Sequence, residues 1–96
     1  MSSYGEGERV FGPPQGSYDA AWVAVAATHA DPGLPPDLAL RLATEAWPLL
    51  REIGEPDANE LARRLLAEHG ATGATAAAVV ARAACDVVVS YEVPLS

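Results

Sequence analysis

His29, His69 and Cys85 are the side chains in this 96-residue sequence best suited to acid–base, nucleophilic or metal chemistry, set against a scatter of thirteen Asp and Glu residues. A thiolate at Cys85 activated by His69 or His29 is the one nucleophilic pair the inventory allows, and its members would have to meet by tertiary folding. The flanking Ala83, Ala84 and Asp86 instead mark Cys85 as a small buried hydrophobe. A metal site would need both histidines plus carboxylates brought together from distant segments. There is no i, i+4 histidine pair, and one cysteine cannot build a thiolate-rich zinc site. The sequence therefore assigns no catalytic residue, no metal and no cofactor. Gly70 and Gly73 lead from His69 toward a helix start, a geometry that exposes amides to anions. That stretch lacks the GK[ST] ending of a phosphate loop and follows no strand, so it reads as a turn between helices.

These side chains are carried by four amphipathic segments. Residues 1–16 hold four glycines and two prolines and read as a flexible, disordered N-terminal arm, with Val10 and Phe11 its only adjacent apolar pair. Residues 17–96 form one helical domain. Ser17 is the expected N-cap of a first helix over 18–30, in which Tyr18, Trp22, Val25 and His29 share a stripe. A second helix over 36–53 opens on proline and closes at Gly54. Its apolar residues, among them Leu38, Leu42, Ala46, Trp47, Leu49, Leu50 and Ile53, fill a wide arc opposite Asp37, Arg41, Thr44, Glu45, Arg51 and Glu52. Pro48 projects from the polar arc, which predicts a kinked helix, with two short helices as the alternative. A third helix runs over 56–69 and ends at Gly70. His69 falls on its apolar side near the C-terminal carbonyls, the place of a structural histidine. The fourth begins at 72–75 and continues toward 90, rich in alanine and valine. The run 87–93 also suits a terminal strand. The fold class is all-α, a small four-helix bundle with a disordered N-terminal arm.

Charge narrows the partners. Six arginines and no lysine oppose the thirteen acids for a net charge of −7, a balance that repels phosphate backbones. A lone cysteine is compatible with a reducing compartment. The N-terminal residues, with Glu6 and Glu8 against Arg9, lack an apolar core, and no apolar run reaches a membrane-spanning length. The expectation is a cytoplasmic protein that binds neither membrane nor, through its bulk charge, nucleic acid.

Leu61, Ala62, Leu65, Leu66, Ala67, Glu68, His69 and Gly70, followed by Thr72, Ala76, Val80, Arg82, Ala83 and Ala84, resemble the helical pair of ANTAR RNA-binding output domains. The resemblance spans about a quarter of the chain and rests on apolar spacing. It implies a nucleic-acid-binding regulator working through helices three and four and Arg63, Arg64 and Arg82. The would-be recognition helix departs from that role, offering Thr75 and Arg82 among alanines with no aromatic residue to stack on a base. The function expected from the residues themselves is a non-catalytic helical protein–protein interaction or regulatory module, a homodimer or a small accessory subunit. Its interface would use Trp22, Val25, Val80, Ala84 and Val87. A small enzyme or ligand-binding protein with a pocket near Trp22, His29, Trp47, His69 and Cys85 is the other alternative.

Overall fold

The computed structural model describes residues 13–70 and 73–95. Four helices follow in order: α1 (Ala20–Ala30), α2 (Pro36–Ile53), α3 (Ala58–His69) and α4 (Ala74–Ser90), with no strand among the described residues. Helices α2 and α4 are the central pair. Each packs on the other and on both remaining helices, while α1 and α3 do not touch. The core closes around Val23, Leu42, Leu50, Leu61, Leu65 and Val80, all fully buried, with alanines such as Ala27, Ala43, Ala77 and Ala84 between them. Small side chains at these contacts let the helix axes approach closely. No charged or polar residue is buried among the described residues, so association of apolar faces holds the bundle.

The helix ends differ from expectation in ways the backbone explains. Ser17 does not cap α1; Asp19 does, in an extended conformation, its Oδ1 accepting from the amides of Ala21 at 2.9 Å and Trp22 at 3.3 Å. Those are the orphan donors an N-cap must satisfy, and the helix starts two residues later than the periodicity predicts. Asp57 likewise caps α3 through the Glu60 amide, which moves that helix start from Pro56 to Ala58. Helix α2 is a single element that runs through Pro48 on its exposed side, which disposes of the two-helix alternative. It ends at Gly54 with φ 84°, where a side chain would be strained.

Residues 87–90 belong to α4, so the strand alternative also falls. Past Tyr91 the chain turns through Glu92 at φ 53°, and the Val93 amide returns to the Val88 carbonyl at 3.0 Å. This is a Schellman cap built on a non-glycine residue. It folds Val93 and Leu95 into the core. Against this turn lies the end of the N-terminal arm: Pro13 is buried, and the Gly16 amide donates to the Tyr91 carbonyl at 2.6 Å. The remainder of the arm, residues 1–12, lies outside the described residues.

Candidate functional site

Because α1 packs on α2 and α4 but not on α3, one flank of α4 is left uncovered beside it. On α1, Trp22, Ala26 and Ala30 recur every fourth residue and so share one face. On α4, Ala78, Val79, Ala83 and Val87 face them, and Ser90 and Tyr91 form one end. Together they line an open groove of about 490 Å³. Its depth comes from the alanines, whose methyl groups leave the space that larger side chains would fill. Arg82 and Asp86 stand on the rim as an i, i+4 pair, 3.5 Å apart and largely exposed. Such a pair contributes at most about 1 kcal/mol and is screened by salt. A second depression, of about 660 Å³, lies on the other side of that rim, where Pro56, Ala58, Cys85 and Val89 meet Glu55 and Asp57. Val89 is 62% exposed and Val25, on α1, 55%.

The residues singled out from the sequence separate in space. Trp22 lines the groove and Val87 forms part of its wall, while Val25 is exposed on α1 and does not line it. Val80 and Ala84 are wholly inside the chain's own core and have no surface to give an interface. The alanine/valine face of α4 that periodicity offers to a partner is consumed largely by α2 and α3. Ala26, Ala78 and Val79 line the groove instead, and the signal that finds them is which neighbours cover α4.

The expected ligand pocket is not assembled around Trp22, since none of His29, Trp47 and His69 lines the groove. His29 is exposed in the last turn of α1. Trp47 stacks on Tyr18 with ring centroids 4.8 Å apart and planes 19° from parallel, and the Arg51 guanidinium lies over its ring at 5.7 Å. Tyr18 also donates its hydroxyl to the Ala43 carbonyl at 2.7 Å, and burial pushes its phenol well above the ordinary range. These contacts fasten the chain ahead of α1 to α2. His69 is half-buried and pairs through Nε2 with Glu45 Oε1 at 2.5 Å, tying the end of α3 to α2.

Cys85 is buried, and desolvation, reinforced by Asp86 and Asp57, raises its thiol to about 11. The thiolate that nucleophilic chemistry requires is thereby disfavoured at neutral pH. Among the described residues no three His, Cys, Asp or Glu side chains gather as a metal-binding group.

The arginines of the nucleic-acid alternative already have carboxylate partners. Arg63 holds Glu60 through both Nε and Nη2, and Arg64 contacts Glu60 at 2.9 Å and Glu52 at 3.3 Å. Hydrogen bonds from Arg63 and Arg64 hold Glu60 down at about 2. Arg82 pairs with Asp86. A phosphate would have to displace these carboxylates.

No described helix is long and apolar enough to cross a membrane. Compared with protein-family models, curated proteins and solved structures, the chain matches none.

Proposed function

We propose that this chain is a non-catalytic helical interaction module, a homodimer or small accessory subunit, whose docking surface is the groove between α1 and α4. The observation that supports this is an apolar groove of about 490 Å³ left open beside the most heavily packed helix of the bundle, lined by Trp22, Ala26, Ala78 and Val79. Contiguous apolar surface of this kind costs free energy in water and favours burial against a partner. Trp22 is the anchor, since large aromatic residues in such pockets carry a disproportionate share of binding energy. A second copy presenting the same face is the simplest partner, because a two-fold contact makes one surface serve both sides.

Light scattering over a concentration series tests this on the native chain and on Ala78→Asp, which puts an unpaired carboxylate into the groove at an exposed position. The native chain is expected to show a concentration-dependent dimer. The variant, equally helical by circular dichroism, should need at least about tenfold higher concentration, because a buried unpaired charge is costly. A native chain that stays monomeric throughout, or a variant that associates equally well, would remove the groove from this role.

A further inference from the structure

We propose that a second copy docks with its α4 antiparallel to this one, about a two-fold axis level with Ala84, so that Arg82 of each chain pairs with Asp86 of the other. The register deepens the docking role above and rests on it.

The exposed stripe of α4 carries the argument. At 100° per residue, Ala78, Val79, Arg82, Asp86, Val89 and Ser90 fall within about 120° of arc. All are exposed except Val79, which is half-buried beside the groove. Ala84 is wholly buried and points the opposite way, so the middle of the stripe lies directly across the helix from it. A two-fold axis crossing the stripe at that level relates residues equally far on either side of Ala84. Arg82 comes level with Asp86, Val79 with Val89 and Ala78 with Ser90. Each match is complementary: opposite charges, two valines, and two small side chains that let helix axes approach.

Other registers lose these matches. An axis level with Cys85 would set Arg82 against the buried Val88, and Asp86 against the buried Ala84. A parallel pairing would set Arg82 on Arg82 and Asp86 on Asp86, an arrangement of like charges that is costly at an interface. Within one chain Arg82 and Asp86 are 3.5 Å apart and largely exposed, so each retains open directions for a second partner. They stand about 6 Å apart along the helix, and two antiparallel copies bring each arginine within reach of two carboxylates. Val89, the most exposed large apolar side chain among the described residues, gains cover in the same contact. Each chain carries a net −7, so two copies repel at long range, and a stripe with one charge of each sign is a face on which they can meet.

Charge reversal tests the register on the full chain. Arg82→Asp leaves two acids on the stripe and Asp86→Arg leaves two bases, so in either variant alone both cross-pairs become like-charged. Sedimentation equilibrium, with helicity checked by circular dichroism, should show association at least about tenfold weaker than native for each. An equal mixture of the two variants makes both cross-pairs opposite in sign again and should recover a dimer near native strength. Both variants keep a net negative charge, so bulk attraction does not explain that recovery. The double variant Arg82→Asp/Asp86→Arg, whose net charge equals the native one, should recover it as well. A native dimer that neither reversal weakens, or a weakening that the mixture and the double variant leave in place, would overturn the register and leave groove docking standing. A native chain that is monomeric at every concentration would overturn both.

Discussion

Tyr18 shows how a single side chain sets the geometry of this bundle. It stands before the first residue of α1, yet its ring stacks on Trp47 and its hydroxyl reaches the Ala43 carbonyl 25 positions away. Tyr18→Phe keeps the stacking and removes the hydrogen bond. It should lower stability by about 0.5–1.5 kcal/mol in urea denaturation, since the Ala43 carbonyl lies in helical backbone and the hydroxyl is the group lost. Cys85 gives a pH dependence with a definite sign. Its thiol is raised from an ordinary value of 9.0 to about 11 in the folded protein, so the folded state holds a proton that the unfolded state releases. Stability from this group is intact below about pH 9 and declines as pH climbs toward 11. Urea titrations of the native chain should show that decline, and Cys85→Ala should flatten it after allowance for Tyr18, whose phenol adds a loss of the same sign at higher pH. None of these partnerships is written in local spacing. Tyr18 appears in the sequence as one member of a stripe with Trp22, and His69 gives no sign of Glu45, because both contacts are set by how helices pack.

At the scale of the helix, end chemistry decides the boundaries. Asp19 satisfies two amides of α1, while Ser17 sits in the preceding turn with its own amide on the Pro14 carbonyl. Asp19→Ala should therefore destabilise by about 1 kcal/mol, within the 0.5–2 kcal/mol typical of a lost N-cap. Ser17→Ala should change little. Thermal melts of the two variants separate the assignments, and equal losses would mean that the cap is shared. Helix α2 was legible almost completely, because its proline start, glycine end and wide apolar arc all state the same structure. The terminal valines were ambiguous for a physical reason. β-branched residues suit strands and buried helices alike, and burial against the rest of the core resolves the choice. The Schellman cap at Glu92 uses a residue other than glycine, which removed the usual sequence signal for the end of α4.

For the whole molecule, the number of helices and their apolar faces could be read from periodicity, whereas which faces remain open could not. Val80 and Ala84 and the groove residues Val79 and Ala78 carry similar side chains on one helix. Only the contact of α4 with α1, α2 and α3 consigns the first pair to the core and leaves the second beside a groove. The docking role depends on that difference, so the most direct measurement follows individual methyl and indole resonances as the native protein is concentrated. Shifts confined to Val79, Val87 and the Trp22 indole, with Leu49 and Ile53 on α2 unchanged, are the predicted result. Resonances that stay fixed across the concentration range, or that move mainly on α2 and α3, would contradict it.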